Sequence, residues 1–379
     1  MKIAFITPEY PHFQFKGSMG GIGTFTKSIA IQLVRLNHNV TVFVHSQSKE
    51  LVVQEEGVTI HFVKLKKVKG FTWFTNRRYV NQYVNNIIQK ESIEVIEAPE
   101  WTGFTAFMKF HCPLVIRLHG SDTYFCHLEN RKVKQKNKFF ERKALEGANA
   151  IVGVSEFVSN KTKELFDLTT EIKTVYNTVD VSEFVPNHQH IKPKTLLYFG
   201  TIVRKKGVLE LAKAFNQVAA KDKEVKLYFL GKDNKDVFTG KSTLKMVEEL
   251  LSTKALQNFK HINAVHYTEV KEILRKAEIV LLPSFAEAFP MAWLEAMALE
   301  KKLITSNIGW SKELMIDGET GYMVAPRNTE DFSSKIVALL EDEEKAMLMA
   351  KNARSRIKNS FDINTVLEKN IEIYQSVKK

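Results

Sequence analysis

An α/β protein of two doubly wound, Rossmann-like domains facing across a deep cleft is what this sequence predicts. Three observations carry that expectation. Short apolar runs alternate with longer amphipathic stretches almost throughout, the pattern of strands and helices that build parallel sheets covered on both faces. The alternation pauses once, over the polar, proline-bearing stretch Asn177 to Lys194, and then resumes. A chain of 379 residues also exceeds one ordinary core, which makes two domains the natural division.

Taken in order, the first half offers strands at Lys2–Thr7, Val40–His45, Val58–Val63, Glu94–Glu97, Leu114–Leu118, Ala150–Val154 and Ile172–Tyr176. Helices are expected between them at Thr24–Leu36, Phe74–Gln89, Val133–Glu146 and Glu156–Phe166, the last capped by Ser155. Pro186 and Pro193 mark the linker. Strands then recur at Thr195–Phe199, Val225–Leu230, Phe259–Ile262, Ile279–Leu282 and Lys302–Thr305. Three helical stretches close the chain, near Thr329–Leu340, Glu344–Asn359 and Ile363–Val377. The domains are therefore expected at 1–185 and 186–361, with 362–379 as a terminal helix.

Apolar content of 44% and charged content of 26% are those of a soluble globular protein. No run approaches the apolar length of a membrane span. Met1–Pro8 reads as a first buried strand rather than a signal peptide, so cytoplasmic residence is expected. Two cysteines make no disulfide framework, and the neighbouring pairs His111-Cys112 and Cys126-His127 match no zinc spacing. The net charge of +12 is spread over both halves but has two concentrations. Segment 64–78 mixes lysines and arginines with Phe71, Trp73 and Phe74, and segment 131–143 holds seven cations and one acid. Cations interleaved with aromatics suit an anionic membrane surface, peripherally bound on its inner face. A merely solvated basic face is the other reading of these segments. No recognition motif accompanies the charge, so nucleic acid is not expected as a partner.

Four segments sit where strands would end. Lys16 to Thr24 carries Gly17, Gly20, Gly21 and Gly23 after the first strand. Such glycines let backbone N–H groups approach a phosphate, although the spacing is neither G-x-G-x-x-G nor a P-loop. His119, in Arg117-Leu118-His119-Gly120-Ser121-Asp122, ends another strand. Arg204-Lys205-Lys206 lies between Gly200 and Gly207 at a helix start, where cations are unfavourable unless an anion such as a diphosphate joins them. Last come Glu287 and Glu295. Glu295 is the only charged residue between Ala288 and Leu299. A carboxylate in so apolar a helix costs several kcal/mol if buried without partners, and sugar hydroxyls are suitable ones. There is no Asp-x-Asp metal motif and no Gly-x-Ser-x-Gly elbow.

The ordered set of motifs is diagnostic as a whole. Pro283-Ser284, Glu287-Ala288-Phe289-Pro290 and Glu295-Ala296-Met297-Ala298 are followed by Glu313 to Pro326, with Asn177-Thr178-Val179-Asp180 and Val154-Ser155-Glu156 before them. In this the chain resembles the retaining glycosyltransferases of GT-B fold in glycosyltransferase family 4, nearly end to end. The resemblance implies roles. Glu287 would hold the donor sugar's hydroxyls with the backbone amides near Ala288, Phe289 and Met291; Glu295 would bind the ribose; Lys206 would neutralise the diphosphate. His119 would lie beside the sugar and β-phosphate, Gly20 and Gly21 would close over the phosphates, and the final helix would return to the first domain. Glu287, His119 and Lys206 are thus the expected catalytic residues.

Two departures matter. Thr201 stands where the family has an arginine after Gly200, and Arg204 is the expected substitute. Pro290 replaces a glycine and removes one N–H from the donor loop. The expectation is a metal-independent retaining glycosyltransferase using a UDP- or GDP-linked hexose, without other cofactors, on a lipid-linked or surface-polysaccharide acceptor. A non-catalytic nucleotide-sugar-binding protein or a GT-B epimerase on the same scaffold are the alternatives.

Overall fold

The computed structural model describes residues 1–12 and 20–378. The chain forms two compact units, residues 1–178 with 363–379, and residues 179–362.

The first unit contains the strands β1 (Lys2–Thr7), β2 (Asn39–Gln47), β3 (Leu51–Glu55), β4 (Val58–Lys64), β5 (Val95–Pro99), β6 (Leu114–Leu118), β7 (Ala150–Gly153) and β8 (Ile172–Thr174). Its helices are α1 (Gly21–Arg35), α2 (Thr72–Glu91), α3 (Asp122–Leu128), α4 (Gln135–Glu146) and α5 (Glu156–Phe166). The second unit contains β9 (Thr195–Phe199), β10 (Lys226–Leu230), β11 (Phe259–Ile262), β12 (Ile279–Leu282), β13 (Lys302–Ser306) and β14 (Tyr322–Val324). Between and after these strands run α6 (Val208–Lys221), α7 (Thr243–Leu250), α8 (Thr253–Gln257), α9 (Tyr267–Lys276), α10 (Met291–Ala298), α11 (Ser311–Leu314), α12 (Thr329–Glu341) and α13 (Glu343–Ser360). The terminal helix α14 (Ile363–Ser376) belongs to the first unit.

The first sheet has eight strands in the order β3-β4-β2-β1-β5-β6-β7-β8, and the second has six in the order β11-β10-β9-β12-β13-β14. All pairings are parallel except β3–β4. Both central strands of the first switch point, β1 and β5, are fully or nearly fully buried, as parallel strands covered on both faces must be. Strand order reverses between β1 and β5 in the first sheet and between β9 and β12 in the second. Loops leaving the carboxyl ends of strands diverge at such reversals and leave a crevice, which is where ligands bind in open α/β sheets.

The unit boundaries fall at 178/179 and 362/363, against the expected 185/186 and 361/362. The reason is local: Val179 N–H donates to the Phe361 carbonyl at 3.1 Å, and Val179 bridges Asp362 in parallel. Both chain crossings are thereby tied side by side within the second unit.

In the second unit the sequence reading left out β14 and the helices α7, α8, α9 and α11; in the first unit two elements differ from the expectation. β3 forms a hairpin arm with alternating half-buried and exposed residues, too weak an apolar signal to read beside β4. α3 is capped by Ser121, whose hydroxyl accepts the Tyr124 N–H at 3.0 Å, and its length of only seven residues leaves little periodic signal in the sequence.

Candidate functional site

In the second unit the chemistry gathers at the β9/β12 reversal. β9 ends at Phe199, Gly200 continues with φ +131°, and a short 3₁₀ turn, Arg204–Lys206, leads through Gly207 into α6. β12 ends at Leu282 and passes through Pro283 to Glu287 before α10. Gly207 fastens these loops together. Its φ is +73°, and a Cβ there would lie 2.0 Å from the Pro283 carbonyl oxygen, so only glycine lets the backbones touch. Phe285 N–H donates to the Lys205 carbonyl at 2.7 Å across the same contact.

The result is an ion pair between the Lys206 ammonium and Glu287 Oε1. Ser284 Oγ donates to the same oxygen at 2.8 Å. Glu287 is buried and Lys206 partly so. Two residues singled out separately in the sequence are thus direct neighbours: the cation expected to meet phosphate lies beside the carboxylate expected to meet hydroxyls. The Ala288 and Phe289 side chains turn into the core, Phe289 against Phe361 at 5.5 Å between centroids. Pro290 is the N-cap of α10, and Met291 begins the helix.

Glu295 lies on α10, whose residues from Trp293 to Ala298 are all buried. The carboxylate has a partner that the sequence did not reveal: Tyr267 Oη, at the start of α9, donates to Oε1 at 2.7 Å. Burial pushes the Glu295 carboxyl up to about 7, against the opposing pull of the Tyr267 hydrogen bond and the Lys271 charge.

Arg204 does not point its fork at the Lys206–Glu287 pair. Its Nε and Nη2 bind Asp236 Oδ1 and Oδ2 at 2.7 and 3.0 Å, and Asp236 also accepts the Thr239 N–H and hydroxyl. Arg204 holds Asp236 well down, to about 2. The bidentate edge expected to face a phosphate is engaged here in fastening the loop after β10. At the departure position, the Thr201 carbonyl accepts the buried Tyr198 hydroxyl at 2.7 Å.

In the first unit, Gly20 and Gly21 open α1, and the earlier glycine of that loop, Gly17, lies outside the described residues. The Gly20 and Gly23 amides donate to Glu9 Oε2 and Oε1 at 3.0 and 3.1 Å. A Cβ at Gly20 would lie 2.6 Å from Glu9 Oε1. An internal carboxylate thus takes amides that the sequence reserved for a phosphate. His119, half-buried after β6, stands edge-on to Phe25 at 4.9 Å. Burial and the neighbouring Arg117 cation push its imidazole down to about 3, so it is a neutral hydrogen-bonding group. Arg117 itself is fully buried, bidentate to Glu97 at 2.7 and 2.9 Å and bonded to Asn370 Oδ1 at 2.5 Å, while Tyr374 Oη donates to Glu97 at 2.8 Å. It anchors α14 rather than a ligand.

The two halves of the chain match two family descriptions, "Glycosyltransferase Family 4" over residues 19–183 and "Glycosyl transferases group 1" over residues 181–356. The chain resembles family 4 and is a glycosyltransferase of GT-B type. An uncharacterised glycosyltransferase of Methanocaldococcus jannaschii is 27% identical over 360 residues, spanning 93% of this chain and 92% of its own. Among solved structures, sucrose-phosphate synthase from Thermosynechococcus elongatus has a TM-score of 0.83 at 16% identity, covering 99% of both chains. Anabaena HepE in complex with UDP-glucose has a TM-score of 0.75 at 18% identity, covering 99% of this chain and 100% of that one. At those identities the two structures establish a shared fold.

The two basic segments of this glycosyltransferase meet on one surface. Trp73, on α2, packs on Phe140, on α4, at 4.2 Å between centroids, and the Lys136 ammonium lies 5.6 Å from the Trp73 centroid. Phe71 is 67% exposed, Phe74 55%, Phe107 65% and Phe139 49%; the one other exposed phenylalanine among the described residues is Phe238, in the second unit. Around them Lys66, Lys67, Lys69, Lys134 and Lys136 are exposed. Arg77 is not one of these surface cations. Its guanidinium stacks on Trp73 at 4.1 Å and donates to the Phe104 and Gly103 carbonyls at 3.0 Å each. No helix among the described residues is long and apolar enough to cross a membrane, and no group of three potential metal ligands occurs among them.

Proposed function

We propose that this glycosyltransferase moves a hexosyl group from a UDP- or GDP-linked donor to a hydroxyl of a lipid-linked or surface glycan, with retention and without a metal ion. The Lys206–Glu287 pair at the β9/β12 reversal is the observation that carries the reading. On donor binding, the Lys206 ammonium exchanges a carboxylate for the diphosphate, and Glu287, still held by Ser284, accepts the sugar hydroxyls. Glu295 accepts the ribose hydroxyls beside the Tyr267 bond. HepE, crystallised with UDP-glucose on the same fold, supports the donor class.

In the transfer step the bond from the anomeric carbon to the diphosphate oxygen breaks. The acceptor oxygen bonds to that carbon on the same face, and the acceptor proton passes to the departing phosphate oxygen. Lys206 stabilises the charge that develops there, and the neutral His119 imidazole hydrogen-bonds the transferring sugar. Product configuration from UDP-glucose, followed by proton NMR, is the test: an α-linked product is expected, and a β-linked one overturns retention. Lys206→Ala is expected to lower kcat by about 100-fold or more, the scale of removing one group from a charge-stabilising site; wild-type kcat removes the diphosphate role.

The acceptor class rests on the aromatic and lysine surface of segments 64–78 and 131–143. Four exposed phenylalanines amid lysines suit insertion at the interface of an anionic bilayer. Co-sedimentation with vesicles of phosphatidylglycerol and phosphatidylcholine checks it. Binding to the mixed vesicles, absent with phosphatidylcholine alone and lost in a Phe71→Ser, Phe74→Ser, Phe107→Ser variant, is expected. Equal binding by that variant removes the surface from the reading.

A further inference from the structure

At the β1/β5 reversal of the first unit, two buried glutamates close on one stretch of backbone. Glu100 follows β5 and is completely buried. Its Oε2 accepts the main-chain N–H of His119 at 2.9 Å, while Oε1 has no hydrogen-bond partner among the described residues. Glu141, buried on α4, accepts the N–H groups of Asp122 and Thr123 at 2.9 and 3.2 Å and the Thr123 hydroxyl at 2.5 Å. Between the two carboxyls runs His119–Thr123, the turn from β6 into α3.

The two glutamates are braced against each other by backbone. The 3₁₀ turn Trp101–Gly103 follows Glu100 directly and lies on α4 so closely that a Cβ at Gly103 would be 2.1 Å from the Phe140 carbonyl carbon and 2.5 Å from the Glu141 nitrogen. Neither carboxyl is therefore free to drift from the turn it holds. An orphaned buried carboxyl oxygen is destabilising, and a smaller apolar residue would avoid that cost. Retaining a glutamate there needs another reason, and what the carboxyl does is fix the main chain at His119, with the Gly120 and Glu100 amides also turned to it. Burial pushes the Glu100 carboxyl up to about 8. It is thus mainly neutral near pH 7 and works as a hydrogen-bond acceptor rather than as a charge.

We propose that Glu100 is a positioning residue for sugar transfer: through the His119 N–H it sets the imidazole beside Phe25, with Glu141 holding the far end of the same turn. The proposal rests on the reading of His119 as a group that contacts the transferring sugar.

A double-mutant cycle tests it. Glu100→Ala is expected to lower kcat by about tenfold with little change in the KM for UDP-glucose, and to add less than about twofold in a His119→Ala background, because coupled residues are not additive. Glu100→Gln keeps an acceptor of equal reach and is expected to restore most of kcat. Glu100→Asp, one methylene shorter, is not; this pair decides the matter if the alanine variant does not fold. Wild-type kcat in Glu100→Ala or Glu100→Asp beside a slow His119→Ala overturns the proposal alone. Equal losses from Glu100→Ala in both backgrounds overturn it as well, since they mark a purely structural role. Wild-type kcat in His119→Ala overturns the His119 reading and the proposal with it.

Discussion

Glu295 shows how one residue's surroundings set its chemistry. Its sequence context, an apolar helix with a single acid, raises the question of a partner, and Tyr267 answers only part of it. Because burial lifts the folded carboxyl from the ordinary 4.5 to about 7, the protonated form stabilises the fold. That contribution is complete below about pH 4.5 and is lost as the pH rises through about 7. Ribose hydroxyls donate most strongly to an ionised acceptor. UDP-glucose affinity is therefore expected to rise between about pH 6 and pH 8 in the wild type and to stay level in Glu295→Gln. Isothermal titration across that range checks it, and an equal slope in both proteins removes Glu295 from the ribose. Glu9 carries the opposite lesson. Nothing in its neighbourhood marks a carboxylate that caps a helix starting twelve residues later, so the Gly20 and Gly21 amides read as a phosphate loop when Glu9 already takes the Gly20 and Gly23 N–H groups.

Among the elements, the two loops after β9 and β12 carry the residues proposed to bind the donor, and Gly207 is where they meet. Gly207→Ala brings a Cβ to 2.0 Å from the Pro283 oxygen at a φ of +73°. It is expected to destabilise the protein by about 1–3 kcal/mol and to raise the KM for UDP-glucose as Lys206 and Glu287 are pushed apart. Urea denaturation and steady-state kinetics check both effects; unchanged values show that the pairing rests on other contacts. Element positions were readable wherever an apolar period was strong, as in β1, β6, β9 and β12. The edge strand β3 and the seven-residue α3 were not, because one is half solvated and the other is held mainly from outside, by Glu141.

For the whole molecule, the last helix decides where the first unit ends. α14 contributes Val366, Leu367, Ile373 and Tyr374 to the first unit's core. It also brings Asn370 and Tyr374 to the buried Arg117–Glu97 pair. A buried ion pair is better tolerated the more of its remaining donors and acceptors are met, and Asn370 and Tyr374 meet two of them, although Arg117 Nη1 has no partner among the described residues. Tyr374→Phe leaves Glu97 one donor short, with an expected loss of about 1–2 kcal/mol. Removal of residues 363–379 is expected to prevent stable folding of the first unit. Chemical denaturation of the point variant, and proteolysis of the truncated chain, check these; wild-type stability in both excludes α14 as a structural part of the first sheet.

Sequence by itself determined the α/β class and the order of the strongly apolar strands and longer helices, and it singled out Lys206, Glu287, Glu295 and His119 as candidates, because burial periodicity and charge in an unfavourable setting are local signals. Tertiary structure alone decided which of these meet. The Lys206–Glu287 contact spans 81 positions and the Arg117–Asn370 bond 253. It also drew Arg204 to Asp236 and the Gly20 amide to Glu9. Hydrogen-bonding capacity belongs to each residue, but the partner that satisfies it is set by how strands are ordered in a sheet, and that order is a property of the folded chain.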